Sequence, residues 1–124
     1  MLEVYSTDID VAVNSAIPFN NVHIQKGCSA VASAPATIQL NKCGVYKVCV
    51  DASASAETTI ELSRDGVLQP EAQSTGTSLS FTTLVQVPFD NTCSCCSRPT
   101  LLQVVNTGAA VTFTNINVVV TKIC

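Results

Sequence analysis

Alternation of apolar and polar residues with a period of two constrains this chain more than any other feature of its sequence. Ile9, Val11 and Val13 alternate with polar or small neighbours near the N-terminus, and similar runs recur along the rest of the chain. Such alternation is typical of half-buried β-strands, and no window shows a helical period. Turn signals such as Arg64-Asp65-Gly66 separate the runs. The pattern predicts an all-β domain of about eight to ten short strands.

The surface of this domain is expected to carry few charges. Only 12% of the 124 residues are charged, whereas average globular domains carry roughly 25%. Thr, Ser, Asn and Gln take the solvent-facing phase of the strands instead. This composition suits a protein whose faces are covered by neighbouring subunits, and a sparsely charged monomer is the alternative.

Charge and hydropathy exclude two classes of partner. The net charge is −3 and no basic run is present, so we expect no nucleic-acid binding. No apolar stretch approaches the roughly 20 residues that cross a bilayer, and we expect no membrane partner. The N-terminal residues lack the basic and apolar regions of a secretory signal, which predicts a protein made in the cytoplasm.

The sequence offers no catalytic constellation. The single histidine, His23, falls on the polar phase of a strand, where an exposed position is the simplest interpretation. Asp8 and Asp10 share the polar phase of another strand and could bind a cation, but such pairs more often discourage strand-to-strand aggregation. The five glycines occur singly rather than in a phosphate-binding loop. We therefore expect no enzyme activity and no cofactor.

Seven cysteines are the compositional oddity of the chain. Cys93, Cys95 and Cys96 crowd into one segment between two predicted strands, but their spacing lacks a second ligand pair at zinc-site distance. Reduced thiols, disulfides within or between chains, and a bound metal all remain open for them. Cys49 lies between two valines of a strand and is expected to pack as a small apolar side chain.

Several segments resemble a known family. Residues 16–24 read AIPFNNVHI, and residues 36–48 read ATIQLNKCGVYKV. Residues 60–67 read IELSRDGV, and residues 111–118 read VTFTNINV. Together they resemble the tumour-necrosis-factor-like and complement-like jelly rolls, in particular the small structural proteins of that type in prophages of gut Firmicutes.

The resemblance implies a two-sheet antiparallel jelly-roll sandwich that assembles as a homotrimer around a threefold axis. It covers residues 16–124, which we expect to form the jelly-roll domain, and it makes Tyr46 and Phe113 candidates for the trimer interface. Residues 1–15 precede the matched region and are expected to form a strand or arm that contacts a partner. A collagen-like Gly-X-Y stem is absent from the sequence, which favours a virion component over the tip of a fibre.

These expectations combine into a functional hypothesis. The chain is predicted to be a non-enzymatic phage virion protein, a trimeric capsid decoration or head-fibre-like protein that binds the major capsid protein or another virion protein. The alternative is a carbohydrate- or receptor-binding head with a host-surface glycan as partner, although the chain has no Trp and only two Tyr for a sugar platform. The candidate partner-binding residues of the arm are Leu2, Val4, Tyr5, Ile9, Val11 and Val13.

Overall fold

The computed structural model describes residues 1–27, 29–87 and 100–123, and the regular structure of these residues is β-strand throughout. No helix in these ranges is long and apolar enough to cross a membrane. The nine strands are β1 (Leu2–Val11), β2 (Ser15–Ala16), β3 (Asn21–Gln25), β4 (Ala30–Ala34), β5 (Thr37–Leu40), β6 (Gly44–Arg64), β7 (Val67–Val87), β8 (Thr100–Asn106) and β9 (Val111–Lys122).

Antiparallel pairing arranges these strands in two layers. The order is β3-β1-β9-β6-β8-β5-β4, with β7 paired to β6 and β2 paired to β8. The strands β6 and β7 have 21 residues each and run through both layers. Residues 46–54 of β6 pair with β9, whereas residues 60–64 pair with β8. One layer therefore holds β3, β1, β9, the first half of β6 and the half of β7 that pairs with it. The second layer holds β4, β5, β8 and the remaining halves of β6 and β7.

Alternate side chains of the two layers meet in one hydrophobic core. Along β6, Tyr46, Val48 and Val50 are buried, whereas Lys47 and Asp51 are exposed. Burial of one such valine contributes roughly 1.5–3 kcal/mol to folding. The all-β class that the alternation predicts and the two-sheet sandwich that the family resemblance implies are both confirmed, because the apolar phases of the strands in the two layers face one core.

A buried polar network closes one end of the sandwich. The Asn106 side chain is fully buried; its Oδ1 accepts a hydrogen bond from Thr58 Oγ1 at 2.5 Å, and its Nδ2 donates to the Ala109 carbonyl at 2.7 Å. The same Nδ2 lies 3.3 Å from the Val11 carbonyl oxygen. A Cβ on Gly108 would lie 2.4 Å from a backbone nitrogen of β6, so only glycine allows the β8–β9 turn to approach this closely.

The N-terminal strand is an integral part of the first layer. β1 lies between β3 and β9 and pairs with both, and the side chains of Leu2 and Val4 are fully buried in the core. The expected division into an arm (residues 1–15) and a jelly-roll domain (residues 16–124) is therefore corrected. Removing β1 would open the core, because its apolar phase fills the same interior as β6 and β9.

Candidate assembly surface

The side of the first layer that faces away from the core forms a broad surface, which we call the outer face. Strand pairing aligns its side chains in rows, and Tyr5, Asn117, Asp51 and Ser80 occupy neighbouring positions on β1, β9, β6 and β7. Because side chains alternate along each strand, every second residue belongs to this face. Its central residues are Glu3, Tyr5, Thr7, Lys47, Cys49, Asp51, Ser53, Ser80, Thr82, Leu84, Asn115, Asn117 and Val119.

The outer face carries few charges for its extent. Among the residues that define it, only Glu3, Lys47 and Asp51 have ordinarily charged side chains. The rest are uncharged and mostly small side chains, which cost less to remove from water than charged ones when another surface covers them. A face of this composition is suited to contact with a second protein surface.

Glu3 is the best-connected charged residue of this face. Its Oε1 pairs with Nδ1 of His23, and its Oε2 accepts a hydrogen bond from Asn117 Nδ2 at 3.1 Å. The hydrogen bond with His23 is the main reason that the pKa of Glu3 lies below its ordinary value, and the hydrogen bond with Asn117 lowers this pKa further. The His23 ring meets the Tyr5 ring edge-on at a centroid distance of 6.3 Å. The network therefore links β3, β1 and β9 and keeps Glu3 ionised.

His23 occupies the position that the sequence predicts for it. It lies on β3 with 63% of its side chain exposed, and its hydrogen-bond partner is a carboxylate. Among the described residues, the hydrogen bond of its Nδ1 is to Glu3 and not to a serine or cysteine. Its contact with Glu3 connects the edge strand β3 to the outer face.

The two aromatic residues expected at a trimer interface lie in the protomer core. Tyr46 and Phe113 are both fully buried, and the Tyr46 hydroxyl donates to the Lys42 carbonyl at 2.7 Å. Their assignment to the interface is corrected, because a side chain without accessible surface cannot contact another copy. The signal was present in the sequence, since Tyr46 shares its alternation phase with Val48 and Val50.

The six candidate partner-binding residues of β1 and its continuation separate into two groups. Leu2, Val4 and Val11 are buried, and Ile9 is half-buried and packs against the core. The three buried residues cannot serve as contacts for another protein, and that part of the expectation is corrected. The remaining two present surface: Tyr5 is half-buried on the outer face, and Val13 is 45% exposed beyond the end of β1.

Strand β7 leaves one edge open along its whole length, because β6 is its pairing partner within the described residues. Its first half contains Pro70 and Glu71, which are features that hinder pairing with another chain. Residues 77–87, which read TSLSFTTLVQV, contain neither proline nor a charge. Leu84 in this segment is 62% exposed. An unprotected edge of this kind is a surface for association unless a neighbour covers it. This edge was not identified from the sequence, although the absence of charged residues from positions 77–87 can be read there.

The cysteines are only partly described. Cys93, Cys95 and Cys96, the candidates for a metal or disulfide, lie outside the described residues. Cys43 is disulfide-bonded, and Cys49 has a free thiol that is half-buried on the outer face, 3.7 Å from Thr82 Oγ1. Across residues 1–27, 29–87 and 100–123, no group of three or more His, Cys, Asp or Glu side chains could hold a metal ion.

Comparison with known proteins identifies the fold. No protein-family model and no curated protein sequence matches the chain. Among solved structures, murine APRIL is similar with a TM-score of 0.65 at 7% identity, covering 98% of both chains. The globular domain of zebrafish complement 1qA protein is similar with a TM-score of 0.63 at 9% identity, covering 95% of this chain and 94% of that one. The fold of this chain is a jelly roll similar to those of tumour-necrosis-factor-like and C1q proteins.

A third jelly roll of similar structure is PRD1 vertex protein P5, with a TM-score of 0.63 at 16% identity. The match covers 99% of this chain and 96% of that protein. At these identities the likeness establishes the fold, and the resemblance inferred from the sequence is confirmed at that level. The jelly roll thus extends over the N-terminal strand as well.

Proposed function

We propose that this jelly roll is a non-enzymatic structural protein of a virion, which assembles as a homotrimer. The observation that carries the proposal is the presence, on one protomer, of two surfaces suited to association: the sparsely charged outer face and the unprotected edge at residues 77–87 of β7. The similarity to PRD1 vertex protein P5, which spans nearly the full length of both chains, supports the placement in a virion.

The two surfaces suggest how copies would meet. The backbone edge of β7 and the centre of the outer face around Asn117 are different parts of the protomer surface, although the Leu84 side chain belongs to both. A contact between one copy's edge and the centre of the next copy's face is therefore heterologous. Heterologous contacts form closed rings when the rotation between copies closes. The resemblance to tumour-necrosis-factor-like proteins supports three copies per ring. Covering Leu84 in this contact would remove the largest exposed apolar side chain of the edge from water.

The finer assignment is a phage protein of the capsid decoration or head-fibre type. Its partner would be the major capsid protein or another virion protein, and it would enter the virion after synthesis in the host cytoplasm. The resemblance to small prophage structural proteins supports this assignment. Since β1 is part of the sandwich, the partner would bind a surface of the folded trimer rather than a detached arm.

The solution mass of the full chain tests the proposal. Multi-angle light scattering after size exclusion is expected to give the mass of three chains, both with and without reductant, because the contacts described are non-covalent. A single-chain mass at micromolar concentration would overturn the homotrimer. A trimer that disappears on reduction would also contradict it, since disulfides would then hold the copies together.

A further inference from the structure

A cleft of about 560 Å³ lies where the pairing of β1 with β9 ends at Val11 and Val111. Its volume is within the range of roughly 300–1,000 Å³ that is common for small-molecule sites, and the cleft is a shallow depression open to solvent rather than an enclosed cavity. Its polar walls are the side chains of Asp10, Ser55 and Thr112, and the rest of its lining is small and apolar. None of these residues belongs to the Glu3–His23 network.

The cleft exists because β6 leaves β9 at this point. The β6–β9 register shifts after Ser53, the last pair is Ala54 with Phe113, and β6 next pairs with β8 from Ile60 onward. Ser55 stands at the start of this crossing, and its Oγ accepts a hydrogen bond from the Thr112 backbone N–H at 3.1 Å. The departure of β6 therefore separates the cleft walls and places a hydroxyl on one of them.

The polar groups of the cleft can both donate and accept hydrogen bonds. Asp10 Oδ1 accepts a hydrogen bond from the Thr112 hydroxyl. An ionised carboxylate offers about four acceptor positions, so this contact leaves Asp10 able to accept from a ligand. The hydroxyl of Ser55 adds a donor, while Ala12 and Ala110 supply methyl groups beside the polar ones.

The composition of the lining selects the chemical class of the ligand. None of the lining residues is cationic, so an anion would find no opposite charge. Asp10 is the single carboxylate of the lining, and the described residues hold no cluster suited to a metal ion. A carboxylate with hydroxyls and an aliphatic wall matches a neutral ligand that has several hydroxyl groups and an apolar C–H face. We propose that the cleft binds a neutral saccharide unit, whose hydroxyls bind Asp10 and whose ring packs on the exposed methyl groups of Ala12 and Ala110.

The floor of the cleft is held in place before any ligand binds. Asn106 Nδ2 lies 3.3 Å from the Val11 carbonyl oxygen and 3.4 Å from that of Ala12, and it donates to the Ala109 carbonyl at 2.7 Å. Asn106 is itself fully buried. Binding therefore does not have to order the lining, which removes one of the usual free-energy costs of association.

NMR titration of the isotope-labelled full chain tests this site directly. The probes are the methyl glycosides of glucose, galactose, mannose and N-acetylglucosamine, each added to tens of millimolar. At least one is expected to give saturable shifts at the amides of Ser55, Ala110 and Thr112. Asp10→Asn is expected to weaken that binding about tenfold or more, because it replaces a charge-assisted hydrogen bond with a weaker neutral one. Thr112→Val removes the neighbouring hydroxyl of the cleft and is likewise expected to weaken that binding.

Glu71→Gln is the matched control, since it makes the same chemical change at an exposed carboxylate of β7 that does not line the cleft. It is expected to leave the affinity unchanged. Absence of saturable shifts with all four glycosides would overturn the proposal, as would shifts that map elsewhere or that survive Asp10→Asn at full affinity. The saccharide site does not depend on the homotrimer, so a negative titration leaves the light-scattering result unaffected.

Discussion

The hydroxyl of Thr58 lies 2.5 Å from the amide oxygen of Asn106, and both side chains are buried. The two residues are 48 positions apart in the sequence, and their hydrogen bond joins the middle of β6 to the end of β8. Thr58 Oγ1 also accepts a hydrogen bond from the Ala109 backbone N–H at 2.9 Å. One pair of side chains thus fixes the β8–β9 turn, and with it the floor of the cleft.

Thr58→Val is expected to destabilise the fold by about 1–3 kcal/mol, because a nearly isosteric side chain leaves the buried Asn106 oxygen without its donor. Urea unfolding followed by circular dichroism measures the change. Thr7→Val is the control, since Thr7 is exposed on β1 and valine is favoured in strands; its effect should stay within about 0.5 kcal/mol. Equal effects of the two variants would contradict the importance of the network.

Leu84→Lys is expected to dissociate the homotrimer, because it places a charge in the middle of the uncharged β7 edge, and burying an unpaired charge is costly. Leu68→Lys makes the same change in the half of β7 that contains Pro70 and Glu71, where 43% of Leu68 is exposed, and should remain trimeric. Light scattering measures the mass of each variant, and circular dichroism checks that both are folded. If Leu84→Lys stays trimeric, the β7 edge is not part of the interface.

Glu3 is expected to make part of the stability of the fold depend on pH. Its pKa is lowered in the folded state from the ordinary value of 4.5, so its contribution is present above that value. The contribution is lost as the pH falls through the lowered pKa, where protonation breaks the contacts with His23 and Asn117. The difference in unfolding free energy between wild type and Glu3→Gln should therefore shrink as the pH falls below the ordinary value of 4.5.

Denaturant unfolding across a pH series measures this dependence. His23→Ala, added to Glu3→Gln, should cause little further change in the acid range, because both substitutions remove the same contact. A difference between wild type and Glu3→Gln that stays the same down to acid pH would show that the His23 contact does not stabilise the ionised carboxylate.

Cys43 and Cys49 are expected to differ in their reaction with alkylating reagents. Iodoacetamide added to the denatured but unreduced protein should label Cys49, which has a free thiol, and leave Cys43 unlabelled because it is disulfide-bonded. Peptide mass spectrometry distinguishes the two positions, and prior reduction should expose both to the reagent. Labelling of Cys43 to the same extent as Cys49 before reduction would contradict the disulfide.

The alternation predicted strand positions well but strand lengths poorly. In the sequence, the alternating runs around Val48 and around Ile60 are separated by small residues, which is typical of two strands. The structure instead has one strand, β6, which passes from β9 to β8. The shift in register near Ser53 allows the strand to continue while its partners change. A strand of this kind cannot be recognised locally, since the small residues at the shift give the same pattern as a loop.

The candidate sites depended on contacts that no local pattern contains. Asp10 and Thr112 lie 102 residues apart in the sequence, and their hydrogen bond exists because β1 pairs with β9. The pairing of Glu3 with His23 likewise depends on β3 lying beside β1. Neither pair could be inferred from spacing, because antiparallel neighbours in a jelly roll are often distant along the chain.

The sequence by itself determined the all-β class and the phase of each strand that turns inward, because the alternation of side chains along a strand is a local property of the backbone. It also determined the scarcity of charge on the surface. Only the tertiary structure decided that β1 belongs to the core layer, that Tyr46 and Phe113 are internal, and where the edge of β7 and the cleft at Asp10 lie. Those features depend on which strands become neighbours, and that choice is made by burial of the whole core at once rather than by any single segment.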